Sequence, residues 1–335
     1  MKILVTGGAG FIGSNYIRYV LAKYHDIKVV NLDLLTYAGR MENIRDFIHD
    51  PRHKFVKGDI RDRKKVQQVM KEGFNVLVNF AAETHVDRSI VEAGSFITTD
   101  VYGTYTLLDT AKNCNVEKFV QISTDEVYGS IESESFKESD NLQPSSPYSA
   151  SKAAGDLMAL AFYKTHGLPV TITRSSNNFG SYQHLEKLIP KIVIRALHDK
   201  TLPLYGDGQQ VRDWLYVMDN CEAIDIVLWK GKAGEAYNIA SGNEYQNIQI
   251  AKLVLQTLKK PQSLISFVQD RPGHDRRYSL NTSKIGNLGW RPKHMLEDAL
   301  RETVEWYIQN EWWWKPLLTD EFVQSDTPWL RKEQF

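Results

Sequence analysis

Through the first half of the chain, short apolar runs alternate with longer stretches whose apolar residues recur every three or four positions. The runs Lys2–Thr6, Lys28–Leu32, Lys54–Lys57, Val76–Asn79, Lys118–Ser123 and Val170–Arg174 read as strands. Ile12–Tyr24, Asp62–Lys71, Phe96–Cys114 and Tyr148–His166 read as helices. Strands that alternate with helices in this way predict a parallel sheet covered on both faces. The expected fold class is α/β, a Rossmann-type doubly wound parallel sheet.

After Arg174 the alternation stops. Ser175–Gln183 is polar and reads as a loop, and a helix is expected over Glu186–Asp199. Pro203-Leu-Tyr205-Gly-Asp-Gly208 supplies turn chemistry ahead of a strand at Gln210–Tyr216. Ala236–Ala240 reads as a strand returning to the large sheet, and a last helix runs over Met295–Gln309. Trp312-Trp313-Trp314 is expected to pack at the end of that helix. The tail Thr319–Phe335 is weakly patterned, and mobility is expected there. The expected organisation is a first domain, 1–176, with a returning segment near 211–240, and a smaller interleaved C-terminal lobe, 177–335.

The length of 335 residues allows a large core and two lobes. A formal net charge of +0 gives no global field towards nucleic acid or a membrane surface. Two cysteines, Cys114 and Cys221, argue against a disulfide framework or a cysteine zinc site and fit a reducing compartment. The chain opens on a strand rather than on a signal-peptide pattern, and no apolar run approaches a membrane span. These features predict a cytoplasmic enzyme without metal, nucleic-acid partner or membrane partner.

The first chemical signal is Gly7-Gly-Ala-Gly10-Phe-Ile-Gly13, set between a strand and a helix. In a dinucleotide fingerprint the first glycine permits a tight turn, the second lets backbone approach pyrophosphate, and the third packs helix on strand. Amides near Phe11 and Ile12 then point at the anion. Asp33 ends the second strand, where a carboxylate accepts from ribose hydroxyls and repels a 2′-phosphate, so NAD is expected rather than NADP. Asp59-Ile60 closes the third strand where adenine would lie, although Asp59 equally suits a helix cap. Phe80-Ala81-Ala82-Glu-Thr84 follows the fourth strand beside the nicotinamide half, with small residues permitting close approach.

The second signal is Thr124-Asp125-Glu126, two adjacent carboxylates at a strand end. Elimination needs one acid and one base at the same pH, and neighbouring like charges push one carboxyl's pKa up. The third is Tyr148-Ser-Ala-Ser-Lys152, which follows Ser146-Pro147, a serine N-cap and a first-position proline. Tyr148 and Lys152 therefore share a helix face, one turn apart. A tyrosine titrates near ~10, so it needs a lysine ammonium, a cofactor charge and a helix N-terminus to act as a base at neutral pH.

These residues resemble the extended short-chain dehydrogenase/reductase superfamily, with Thr124 as the tyrosine's hydroxyl partner. Within it the chain resembles the dTDP-glucose 4,6-dehydratases from Met1 to about Leu318. The matching stretches are Thr6–Ser14, Leu35-Thr36-Tyr-Ala-Gly39, Ala81–Ser89, Ser123–Gly129, Tyr148–Lys152, Arg174–Asn178, Glu186-Lys187-Leu188-Ile-Pro190 and Arg271–Tyr278. The Thr-Asp-Glu triplet separates these dehydratases from the epimerases that share their fold. The resemblance implies that Tyr148 takes the proton of the sugar 4-hydroxyl while hydride leaves C4, with Lys152 and Thr124 tuning that step. Glu126 would then remove the C5 proton as Asp125 protonates the departing C6 hydroxyl. NAD would stay tightly bound and be regenerated in each turnover. The resemblance also implies a dTDP-glucose substrate and a homodimer.

The same resemblance assigns the remaining contacts. Thr36, Thr99 and Asn178 would join Thr84 around the cofactor. Thr84, Thr124, Asn177, Lys187, Leu188, Pro203, Tyr205, Arg212, Asn247, Arg271 and His274 would hold the sugar nucleotide. Cations are needed at its diphosphate, and Tyr205 can stack on the base. Lys187 and Arg212 alone read as surface charges, and His274 equally suits a solvated loop. Four departures from the family pattern stand out: Ser181, His184-Leu185, Asp100 in place of asparagine, and Thr84 in place of serine. Rival readings are a dehydratase or epimerase acting on a UDP-sugar, and a non-catalytic NAD-binding sensor.

Overall fold

The computed structural model of this chain describes residues 1–330. The first half runs β1 (Lys2–Thr6), α1 (Phe11–Lys23), β2 (Lys28–Asp33), β3 (His53–Lys57), α2 (Arg63–Met70), β4 (Val76–Asn79), α3 (Val86–Val91), α4 (Gly94–Phe96), α5 (Thr104–Ala111), β5 (Lys118–Thr124), α6 (Pro147–His166) and β6 (Val170–Ser175). The second half runs β7 (Asn177–Phe179), α7 (Leu188–Leu197), β8 (Leu202–Tyr205), β9 (Val211–Tyr216), α8 (Val217–Lys230), β10 (Glu235–Ile239), β11 (Glu244–Gln246), α9 (Asn247–Thr257), β12 (Ile265–Val268), α10 (Ser283–Asn287), α11 (Leu296–Gln309), α12 (Glu311–Trp314) and α13 (Glu321–Gln324).

Seven strands form one parallel sheet in the order β10-β6-β5-β4-β1-β2-β3. Strand side chains alternate between its faces. Ile3 and Val5 join one buried cluster and Leu4 joins the other, so each face carries its own core. The winding reverses between β1 and β4, which opens a crevice at the carboxyl ends of these strands. The smaller lobe contributes a three-stranded sheet, β11-β9-β7, and a parallel pair, β12-β8. Because β10 lies beside β6 at the edge of the large sheet, the chain crosses back after β9 and α8.

Local chemistry sets the catalytic helix. Ser146 accepts from Ser149 N at 3.1 Å and Ser149 Oγ accepts from Ser146 N at 3.0 Å, a reciprocal cap ahead of Pro147. Gly167 at φ 68° ends α6 in the left-handed conformation that favours glycine. Asp62, not Asp59, caps α2 by accepting from Lys65 N at 3.1 Å.

Three expectations need correction. Ser175–Gln183 is not all loop: Asn177–Phe179 pairs in parallel with Trp214–Tyr216, a ladder that no local apolar pattern announces. Phe96–Cys114 is not one regular helix, because a π-helical turn over Ile97–Gly103 separates α4 from α5 and carries the buried Asp100. The tail is anchored as far as Leu330. Asp320 Oδ2 accepts from Arg88 Nη2 at 2.9 Å, Ser325 O from Lys191 Nζ at 2.6 Å, and Asp326 Oδ1 from Arg195 Nη2 at 2.5 Å. Trp329 is buried with its ring edge-on to Tyr205, centroids 4.4 Å apart. Weak periodicity hid this because the anchors are side chains of other elements. Residues 331–335 of the tail lie outside the described residues. Trp313 and Trp314 are packing residues, donating to Asn43 Oδ1 at 2.8 Å and to Tyr307 O at 2.7 Å, but Trp312 is exposed and does not pack with them.

Candidate active site

A cavity of about 310 Å³ opens at the carboxyl ends of the large sheet. Its floor is the loop after β1. Gly7 sits at φ 68°, and a Cβ there would lie 2.6 Å from Ala81 N. A Cβ on Gly13 would lie 2.3 Å from Gly7 O. Both positions therefore exclude a side chain and bring backbone to the cavity surface. Asp33 at the end of β2 accepts from Ala9 N at 2.9 Å and Leu35 N at 2.8 Å, fixing that loop while facing the cavity. Asp59 accepts from Arg61 N at 2.8 Å and pairs with its guanidinium.

Every residue assigned to the cofactor lines this one cavity: Gly7, Gly10, Phe11, Ile12, Gly13, Asp33, Thr36, Asp59, Ile60, Phe80, Ala81, Ala82, Thr84, Thr99, Tyr148, Lys152 and Asn178. So do Thr124, Asp125 and Glu126. The geometry is that of a dinucleotide cradle: glycine backbone at a helix N-terminus, then an acid on the second strand.

At the far end, β5 stops at Thr124, which caps a 3₁₀ turn over Asp125–Tyr128. Its hydroxyl accepts from Glu126 N at 3.3 Å and donates to Asp125 Oδ1 at 3.1 Å. The second oxygen, Asp125 Oδ2, is buried without a partner among the described residues. Burial first, and Glu126 second, push the Asp125 carboxyl well above its ordinary range. Glu126 is also raised by burial, against the pull of Arg271, Arg212 and Lys187. Both carboxyls are thus raised, Asp125 the more strongly, which sets the two apart. Burial is the larger cause, ahead of the like-charge repulsion that adjacency alone suggests.

On α6, Lys152 Nζ donates to Ile122 O of β5 at 2.7 Å, which locks its side chain against the sheet. Burial lowers its pKa, with Asp100 and Asp156 opposing. Burial raises Tyr148 well above the ordinary phenol value. Glu126 and Asp100 add to that rise, and a hydrogen bond with Thr124 counters it.

The substrate set divides. Thr84, Thr124, Asn177 and Lys187 line the cavity; Leu188, Pro203, Tyr205, Arg212, Asn247, Arg271 and His274 are not part of its wall. Lys187 Nζ donates to Thr84 O at 2.6 Å, which ties α7 to the loop after β4. Arg271 Nη1 and Tyr205 Oη both donate to Asp87, at 3.0 and 2.9 Å. Arg212 is held by the carbonyl oxygens of Val211 and Asp275, at 2.8 and 2.9 Å. His274 pairs with Asp270 at 2.5 Å rather than standing in solvent. Asn177 Oδ1, Asn247 Oδ1 and Arg271 Nε are buried without partners among the described residues. Such atoms carry a desolvation cost that a polar ligand relieves.

Several site residues carried no assignment. Tyr37 Oη donates to Glu186 Oε1 at 3.0 Å, and the Arg88 guanidinium lies 3.8 Å over the Tyr37 ring while bonding Glu186 Oε2 at 2.9 Å. Burial would raise Glu186, but His85, His184, Lys187 and Arg88 hold it down to about 2. Asp87 and Arg88 belong to the stretch Ala81–Ser89 that carried the resemblance, so the only signal for them was their place in that motif. Of the departures, Ser181 O accepts from Asn15 Nδ2 at 3.0 Å, His184 lines the cavity edge-on to Tyr37, and Leu185 is core.

Comparison with known proteins finds relatives along most of the chain. Residues 4–303 match the family model described as GDP-mannose 4,6 dehydratase. The low-salt glycan biosynthesis protein Agl12 of Haloferax volcanii is 50% identical over 311 residues, 93% of this chain and 100% of that protein. A dTDP-glucose 4,6-dehydratase of an Actinoplanes species is 47% identical over 322 residues, 94% of this chain and 100% of the relative. Among solved structures, DesIV, a dTDP-glucose 4,6-dehydratase of Streptomyces venezuelae with NAD bound, superposes with a TM-score of 0.93 at 49% identity. That match covers 95% of this chain and 100% of the other.

Proposed function

The chain belongs to the dTDP-glucose 4,6-dehydratases of the extended short-chain dehydrogenase/reductase superfamily, and from that membership we propose that it converts dTDP-glucose to dTDP-4-keto-6-deoxyglucose. One observation carries this reading: a phenol–lysine pair and two adjacent carboxylates line a single cavity with a dinucleotide cradle. NAD held in this cradle would supply the acceptor for the hydride of C4 and the donor that returns it at C6.

The chain's own residues do the rest. Gly7, Gly10 and Gly13 would admit the pyrophosphate of NAD, Asp33 would receive its ribose, and Ala81 and Ala82 would line its nicotinamide half. Tyr148 removes the proton of the 4-hydroxyl, with Thr124 hydrogen-bonded to it and Lys152 fixed by Ile122 O; because burial raises the phenol and Lys152 does not offset it in the protein alone, the positive charge of bound NAD would have to bring it down. The ketone formed at C4 acidifies C5, and Glu126 takes that proton. Asp125, the carboxyl whose environment most favours a proton, delivers it to the departing C6 hydroxyl, so water leaves. Each such transfer is worth roughly a hundred- to ten-thousand-fold in rate. Lys187, Arg212 and Arg271 hold the diphosphate, Asn177 and Asn247 bond the sugar or phosphate, and Tyr205 packs on the base above Pro203. The cofactor occupies lobe 1–176 and the sugar nucleotide mainly lobe 177–335.

The enzyme works in the cytoplasm as a homodimer. Exposed Ile97, Tyr102 and Leu157, on the stretches 96–114 and 148–166, support a two-fold contact there. Among the described residues no helix is long and apolar enough to cross a membrane.

The test is to incubate the protein with dTDP-glucose and, separately, UDP-glucose, and to weigh the products. Loss of one water from dTDP-glucose is expected, with the UDP-sugar turned over more slowly. A product of unchanged mass with inverted C4 identifies an epimerase instead, and no turnover of either sugar leaves only the NAD-binding sensor.

A further inference from the structure

Asp100 is a buried carboxyl that the steps above leave unused. It sits in the π-helical turn Ile97–Gly103 and is 2% exposed. Such turns are rare and recur at functional sites. Its two oxygens reach in two directions. Oδ1 accepts from Glu83 N at 2.8 Å, in the loop that follows Ala81-Ala82 along the cavity wall. Oδ2 accepts from Ser151 Oγ at 2.6 Å, and the same hydroxyl lies 2.8 Å from Tyr148 O. Ser151 immediately precedes Lys152. A Cβ on Gly155 would lie 3.2 Å from Asp100 O, so α6 meets the π turn on a glycine. One side chain thus clamps the loop after β4 to the catalytic helix at Ser151, just past its first turn.

Resting on the assignment of Tyr148 as base, we propose that Asp100 is a positioning residue whose charge, set beside the Tyr148–Lys152 pair, fixes the pH range over which that pair works. Its geometric partners are the Glu83 amide and the Ser151 hydroxyl; Lys152 and the Glu83 carboxylate act on it through their charge, and it acts in turn on Tyr148. Asp156 acts on Lys152 from the same helix, and Glu126 and Asp125 act on Tyr148 from beyond β5. Burial lifts Asp100 to about 7, with Lys152, Ser151 and the Glu83 amide pulling it down and the Glu83 carboxylate adding to the rise. Above that pH the carboxylate holds Lys152 in its ammonium form and opposes ionisation of Tyr148, so it raises both values. Asparagine, which the family pattern has here, keeps the shape without the charge.

The experiment measures the pH dependence of dTDP-glucose dehydration by the NAD-loaded enzyme and by Asp100→Asn. Removing the charge is expected to displace both limbs of the profile to lower pH. The two enzymes should converge well below pH 7, where Asp100 is already neutral. Ser151→Ala removes a bond that favours the ionised carboxyl and should move the profile the same way by less. Ionisation of Tyr148, read as the ultraviolet difference between Asp100→Asn and Asp100→Asn/Tyr148→Phe, should shift in parallel. Profiles whose midpoints stay in place overturn the proposal even if the rate falls, and so does a displacement to higher pH. If Asp100→Asn does not fold, the Ser151→Ala profile decides by the same criteria. Full activity in Tyr148→Phe sinks the base assignment itself, a failure distinct from an unmoved profile.

Discussion

The proposed cofactor half draws on successive turns of one winding: the loop after β1, the ends of β2, β3 and β4, and the start of α6. Its groups line an open cavity with glycine backbone at the surface. The residues proposed for the substrate come from α7, β8, β9, α9 and the loop Arg271–Tyr278, where several charged side chains are already paired while Asn247 Oδ1 and Arg271 Nε have no partner among the described residues. Asp87 takes both Arg271 and Tyr205, and Asp270 takes His274. A tail segment beyond the span of the family resemblance packs Trp329 against Tyr205. The first half is shaped by backbone; the second is held by side chains that bond both carboxylates and main-chain carbonyls. Preorganised backbone demands little rearrangement on binding, whereas a side-chain network must trade partners as ligand enters.

The largest effects separate two chemical steps within the cavity. Tyr148→Phe should lower turnover by roughly a hundred- to ten-thousand-fold and abolish reduction of bound NAD by the sugar. Glu126→Gln should lower turnover over the same range but still accumulate reduced cofactor, because oxidation at C4 precedes elimination. Single-turnover absorbance of the reduced nicotinamide distinguishes the two. Wild-type turnover in the Gln variant contradicts the role given to Glu126.

Asp87→Asn tests the network. The neutral side chain holds Arg271 and Tyr205 less firmly, and a charge-assisted bond is worth about 1.5–3 kcal/mol. The Michaelis constant for the sugar nucleotide should change while NAD content does not, as read by steady-state kinetics and cofactor release. An equal loss of both would show that the two halves are not separable.

A smaller effect comes from pH. His85 and His274 are held at about 4 by burial, and His184 is lowered for the same reason, against an ordinary 6.5. The unfolded chain therefore binds protons that the folded one refuses as pH falls from 6.5 towards 4. Stability should decline across that window, read as a falling Tm. His85→Asn should flatten the decline.

The cofactor half was legible because its signals are local. A glycine spacing, an acid at a strand end and a Tyr–Lys pair one turn apart each lie within a few residues of their structural cause. The acid pair was legible in the same way, although burial of Asp125 was not, since burial depends on the whole fold. In the substrate half, Asp87 showed only as a member of a motif, because its partners lie 118 and 184 residues away. The ladder between Asn177–Phe179 and Trp214–Tyr216 and the docking of Trp329 escaped for the same reason. The π turn at Asp100 was hidden by a helical pattern that a wider turn does not interrupt.

The most direct test of the central claim uses dTDP-glucose carrying deuterium at C4. If Tyr148, Asp125 and Glu126 act on one hexose that never leaves the site, the 4-keto-6-deoxy product is lighter by one water and carries the deuterium at C6. A product with the label washed out, retained at C4 or absent altogether would contradict the account.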